Sequence, residues 1–250
     1  MRFLIRLLFL AAICAVCEAN DWVRIGDEAY HQGDLVKAVE AYRSARHADP
    51  KNYEANWKLA RSLNDQGLLM KRSPQQKECF LEALAFAQEA TRLNPKDSKA
   101  VVYVAISEGK VALFEGGKKK VELGKDVKAQ AEKAIELNPR EDLAYHVLGV
   151  WNREMATLNP FLKAFAQWFY GKFPPASLDA SVMNFKKAIG LNEVAVAHHA
   201  ELGLTYLEIR KWAEARDELE KTLHLPKQYP SDENYKQQAR EGLKQAQKHL

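Results

Sequence analysis

The chain has 250 residues, of which 47% are hydrophobic and 28% charged. That composition excludes both an intrinsically disordered polymer and a protein built only of membrane spans. Lys and Arg (37) nearly balance Asp and Glu (33), for a formal net charge of +4; the two signs are interleaved rather than gathered on one block, which argues against nucleic acid as a partner.

Residues 1–20 read MRFLIRLLFLAAICAVCEAN. Arg2 and Arg6 precede a short apolar run from Leu7 to Cys17, and the small residues Cys17 and Ala19 suit cleavage after Ala19. A secretory signal peptide over 1–19 is expected, because the run is short against the ~20 residues that a membrane anchor needs. The protein is then exported, and periplasmic if its source is bacterial; an uncleaved N-terminal anchor is the weaker alternative. Two of the three cysteines fall in this segment. Cys79 alone can form neither an internal disulfide nor a Cys-rich metal site.

A closing mark recurs through the rest of the chain. It appears as AYRSARHADP (Ala41 to Pro50), FAQEATRLNP (Phe86 to Pro95), KAQAEKAIELNP (Lys128 to Pro139), NFKKAIGLNE (Asn184 to Glu193) and ELEKTLHLPK (Glu218 to Lys227). Each is an apolar helix end with small residues, and proline then stops the helix in most cases. The pattern resembles the tetratricopeptide repeat, a helix-turn-helix unit of about 34 residues. Unit one carries Trp22, Gly26, Ala29, Ala38, Tyr42, Ala45 and Pro50, with Gly33-Asp34 as its turn. Units two and three are lengthened by Asn64–Glu78 and by Phe114–Asp126, the latter with a Gly116-Gly117 turn. Unit four, from Asp142, holds the apolar stretch ATLNPFLKAFAQWFYGKF before Pro174-Pro175, and unit five starts near Val196. The tail from Ser231 is a polar helix of the kind that caps a solenoid. The expected architecture is all-α: one tetratricopeptide superhelix over 20–250, with about five repeats, an inserted aromatic helix in repeat four and a C-terminal capping helix.

Such superhelices bind through the concave face lined by the first helix of each repeat. Helical spacing places Tyr30, Trp57, Arg61, Val102, Ile106, His146, Val150, Arg153, Leu204 and Leu207 on that face. Its C-terminal half is apolar and must be covered in water. The inserted helix, with Phe161, Phe165, Trp168 and Phe169 on one stripe, is expected to fill or gate it. Lys118, Lys119 and Lys120 form a loop cluster without a phosphate-loop pattern; an anionic membrane surface is one use for it. His198-His199 point to different sides of a helix. No catalytic triad and no metal-ligand spacing is present, so the expectation is a non-enzyme with no metal and no cofactor.

The stretch KDVKAQAEKAIELNPREDLAYHVLGVW, the aromatic insertion, FPPASLDASVMNFKKAIGL and HHAELGLTYLEIRKWAEARDELEKTLHLP go beyond a generic repeat. Together they resemble the tetratricopeptide domain of the regulator of microtubule dynamics family, best over Lys125 to Pro226 and across most of the chain after Ala19. Val150 departs from the family's usual Arg, and the disordered segment that precedes the repeats in that family is not seen. The resemblance implies a repeat domain with an aromatic helix and a Pro-Pro turn in repeat four, and in some members phospholipid binding. With a signal peptide, an exported bacterial-type relative is expected. The expected function is non-catalytic recognition of a protein or peptide partner in the concave groove. The alternative is binding or transfer of a phospholipid or other apolar ligand in a pocket between the groove and Phe161–Phe173.

Overall fold

The computed structural model describes residues 2–171 and 175–250, with side chains from Val16 onward. Phe173 and Pro174, expected to end the insertion and begin its turn, lie outside the described residues. Twelve helices and no strand are found among those described. The helices pair in chain order: α1 (Arg2–His31) with α2 (Leu35–Ala48), α3 (Tyr53–Leu69) with α4 (Pro74–Leu93), α5 (Ser98–Glu115) with α6 (Gly117–Leu137), α7 (Asp142–Ala156) with α9 (Leu178–Leu191), and α10 (Val196–Glu208) with α11 (Trp212–His224). The inserted helix is α8 (Pro160–Tyr170), and α12 (Asp232–Ala246) follows the last repeat. The N-terminal apolar segment and the first helix of repeat one are one continuous α1. No helix among the described residues is long and apolar enough to cross a membrane.

The closing mark has one geometry in four repeats. Asp49, Asn94, Asn138 and Asn192 each leave the helix in an extended conformation, and their N–H groups bond back to the carbonyls of Ala45, Ala90, Ala134 and Ala188. All four alanines are fully buried. Proline after three of these residues enforces the extended conformation. Starts are as local: the side chains of Asp34, Asn52, Ser73, Asp97, Asn159 and Ser177 accept from backbone N–H groups two or three residues on.

Within a repeat the two helices approach at a glycine. A Cβ built on Gly26 would lie 2.5 Å from the Tyr42 ring, and one on Gly149 would lie 2.7 Å from Phe185. Gly203 stands in the same relation to Leu219, at 2.6 Å. In repeat two the level of Gly26 is taken by Ala60, buried in one cluster with Ala87. The lengthened helices then add a second socket, Gly67 under Phe80 at 2.5 Å. Both lengthened stretches are simply extra helical turns, and the expected Gly116-Gly117 turn forms with both residues at positive φ. The turn of repeat one likewise uses Gly33 at φ 82, whereas repeat five places Arg210 at φ 59.

Gly149→Ala is expected to destabilise by about 1–3 kcal/mol, because Phe185 is fully buried and cannot retreat. Gly190, with nothing near its Cβ position, is the control: Gly190→Ala should stabilise by about 0.5–1 kcal/mol. Urea unfolding of the two variants decides; equal effects would remove the socket argument.

Candidate functional site

The first helices of all five repeats face a common interior, and their side chains bound a cavity of about 280 Å³. α1 supplies Tyr30; α3 supplies Trp57, Arg61, Asn64 and Asp65; α5 supplies Tyr103, Ile106 and Lys110. His146 and Val150 come from α7, and Ala197 from α10. The fourth side belongs to the chain's end: Tyr229, Ser231, Asp232 and Tyr235 complete the wall. Asp232 is buried and accepts from the N–H groups of Gln228 (2.7 Å) and Tyr229 (2.9 Å), which folds this strap tightly. Asn234 then donates to the carbonyl of Leu68 in α3 at 3.3 Å. The superhelix is thereby bridged from its last helix back to its second repeat.

Six of the ten residues expected to line the groove are brought together here: Tyr30, Trp57, Arg61, Ile106, His146 and Val150. Four are not. Val102 is fully buried between helices; the cavity register on α5 is Tyr103, Ile106 and Lys110, one residue later. Arg153 turns to Glu201 (2.5 Å) and the carbonyl of Glu201 (3.2 Å), outside the cavity. Leu204 and Leu207 pack against α12 at Gly242, and with Arg153 they line a second pocket beside Trp212 and His249. The apolar end of the groove is therefore covered by α12 and not by α8, because the small residues Ala239, Gly242 and Ala246 let α12 lie close. α8 packs instead on α6, and none of its described residues lines the cavity. A ligand pocket between groove and insertion is not formed by the described residues. Lys120 also departs from the expected surface cluster; it pairs with Glu154 at 2.9 Å beside the cavity.

The cavity is aromatic and cationic at one end. Arg61 lies over the Tyr30 ring, 3.6 Å from its centroid, and donates to the Tyr42 hydroxyl at 3.3 Å. Its Nε, and Oδ1 of the neighbouring Asn64, are buried with no partner among the described residues. Trp57 and Tyr103 stack at 5.8 Å. Lys110 is half-buried on the cavity wall, and burial lowers the affinity of its amine for a proton, against the opposing pull of Glu201 and Asp65. It has no hydrogen bond or ion pair among the described residues. Both acids that act on it are engaged elsewhere: Glu201 by Arg153, and Asp65 by the Tyr30 hydroxyl at 2.5 Å and by Ser231. Burial pushes the Asp65 carboxyl up, more than Tyr30, Ser231 and Arg61 pull it down. A half-buried ammonium without a counter-ion is a ready partner for an anion. The site as built has room for one negative charge. Lys110 was missed from sequence although it lies four residues after Ile106, on the same helical face.

A second polar chain crosses the wall. Nδ1 of His146 faces Nδ1 of His198 at 3.0 Å, and Nε2 of His198 faces Asp142 at 2.9 Å. With Nε2–H of His198 donating to the carboxylate, its Nδ1 accepts from Nδ1–H of His146. Burial, then the neighbouring His198, Lys110 and Arg153, hold the His146 pKa well below its usual value. Among the described residues no group of three or more His, Cys, Asp or Glu could hold a metal ion.

Comparison with known proteins places this geometry. The family model for regulator of microtubule dynamics protein 1-3 matches residues 22–247. Regulator of microtubule dynamics protein 1 of Mus musculus is 27% identical over 204 residues, covering 80% of this chain and 65% of its own length, less than two thirds. Its Caenorhabditis elegans counterpart is 23% identical over 209 residues, covering 84% and 92%. Among solved structures, TTC0263, a tetratricopeptide-repeat protein of Thermus thermophilus, superposes with a TM-score of 0.64 at 17% identity over 90% of this chain and 98% of that one. That likeness shows the fold.

His146 is neutral when folded and an ordinary histidine when unfolded, so the unfolded chain takes up its proton first as pH falls. The contribution of this group is full above pH ~6.5 and declines below it, by at most about 1.4 kcal/mol per pH unit. The melting temperature should therefore drop between pH 7 and pH 5, and His146→Gln should flatten that slope; an unchanged slope would show that His146 is not the titrating group.

Proposed function

The chain belongs to the regulator of microtubule dynamics family, whose model spans residues 22–247, and from that membership and the cavity we propose a non-catalytic scaffold that recognises a protein or peptide partner. Repeat superhelices present continuous inner surfaces suited to extended segments. Here the inner surface is narrowed by the C-terminal strap to about 280 Å³, near the lower bound for ligand sites. It suits the tip of a partner, an acidic side chain or a terminal carboxylate, better than a running strand. The observation that carries this is Lys110, a half-buried ammonium on the cavity wall with no counter-ion among the described residues. Arg61 offers the incoming carboxylate one further donor that lacks a partner. Charge-assisted bonds of this kind contribute about 1.5–3 kcal/mol each. The surrounding acids do not compete, since each already holds a partner.

An array of short peptides, acidic, neutral and basic, each with free or amidated C-terminus, tests the proposal against the purified chain. Acidic or free-carboxylate peptides should be retained, and Lys110→Met should weaken them at least about tenfold. Retention indifferent to peptide charge and to Lys110 would overturn it. We propose in addition that residues 1–19 direct export. Ala19 is buried and Asn20 meets Asn52 at 3.3 Å, so cleavage after Ala19 leaves that contact intact. Protein purified from its source should begin at Asn20; material beginning at Met1 in the cytoplasmic fraction would refute it.

A further inference from the structure

α8 is the one inserted element, and it puts its largest apolar side chains in water. Trp168 is 77% exposed, Phe161 65% and Phe169 42%. Only the inner side is used: Ala166 is fully buried, Leu162 and Phe165 lean on the same cluster, and the Tyr170 hydroxyl donates to the carbonyl of Val121 at 2.9 Å. Packing of the superhelix does not need the outer side, because α7 and α9 pair directly without it. The sequence PFLKAFAQWFY contains no acidic residue. Lysines frame it. Lys118 holds its ammonium 5.4 Å from the Phe161 ring centroid and 5.1 Å from that of Phe165. Lys163 is exposed on α8 itself, and Lys119 and Lys125 are exposed on α6. The acids of that region are Glu115, which pairs with Lys77 at 2.5 Å, Glu122, which pairs with Lys119 at 3.3 Å, and Asp126.

We infer that the outer face of α8 and the start of α6 form a docking surface for an anionic lipid bilayer. Both halves of the surface match that occupant. Tryptophan and phenylalanine settle at the boundary between headgroups and acyl chains, where an amphipathic helix buries its apolar face about 5–10 Å deep. Lysines beside the rings reach the headgroup layer, where anionic lipid attracts them. A neutral protein groove would match the rings but leave the lysines without partners. An eleven-residue helix lying on α6 presents the rings side by side at the surface, as interfacial attachment requires and as spanning does not. The surface is separate from the cavity, so its occupancy does not depend on the carboxylate proposal.

The test is co-sedimentation of the full chain with vesicles of phosphatidylcholine alone or with about 30% phosphatidylserine, in about 0.1 M salt. Wild type should pellet with the anionic vesicles several-fold more than with the neutral ones. The double variant Phe161→Ser, Trp168→Ser should lose both, and Lys118→Glu with Lys119→Glu should lose at least about tenfold on the anionic vesicles alone. These side chains are exposed, so melting temperatures should be unchanged, and the shared N-terminal segment cancels in the comparison. Equal pelleting of wild type and the aromatic variant overturns the inference. So does a wild-type dimer in sedimentation velocity that the aromatic variant abolishes, since a second copy would then be the occupant.

Discussion

The contact on which the rest depends is a B-helix side chain seated in the glycine gap of its A-helix partner: Tyr42 on Gly26, Phe185 on Gly149, Leu219 on Gly203. A methyl group at any of these positions would meet a side chain fully buried on all sides. The gap sets how closely two helices of a repeat approach, and that spacing, repeated, sets how sharply the stack curves. Repeat two obeys the same rule despite its extra length, with Ala60 and Ala87 in one cluster and Gly67 under Phe80 one level further out. Curvature in turn brings five first helices around one interior, without which Tyr30 of the first repeat and Ala197 of the last would not border the same cavity.

Closure gives that interior its chemistry. An open inner surface would leave Arg61, Lys110 and Asp65 to water, where an ammonium needs no partner. The strap around Asp232 and the bond from Asn234 to Leu68 leave these side chains half-buried. Asp65 is met by Tyr30 and Ser231, and Glu201 by Arg153, while Lys110 has no such partner among the described residues. At the other end, α12 uses a face of small residues to cover Leu204 and Leu207. One C-terminal segment thus does two jobs: it packs on the apolar end of the groove and walls one side of the polar end.

The parts of this design governed by neighbouring residues were legible in the sequence. The closing marks are helix ends because Asn or Asp before Pro cannot continue a helix, and the structure places an Asn or Asp cap at four of the five. Tyr30, Trp57, Arg61, His146 and Val150 fell on the inner face because helical period is a local property. Val102 missed the cavity by a single residue, whereas Ile106 lies on the face that carries Lys110. The failures of Leu204, Leu207 and Arg153 are of another kind. Their inner-face spacing is right, but α12 and Glu201 claim them, and no period within α7 or α10 announces that. The aromatic stripe of α8 was equally visible, yet a stripe does not name the surface it meets. It packs on α6, so the side expected in the groove faces outward.

The bridge from Asn234 to Leu68 joins residues 166 positions apart. In a linear array each unit is coupled only to its neighbours, and the two ends can fray separately while the middle stays ordered. Joining the last helix to the second repeat turns that line into something nearer a ring. Release of the C-terminal helix then loosens repeat two as well as repeat five, and melting of either end is felt at the other. The protein should respond to heat or denaturant as one cooperative body where an open stack of equal length would come apart in stages.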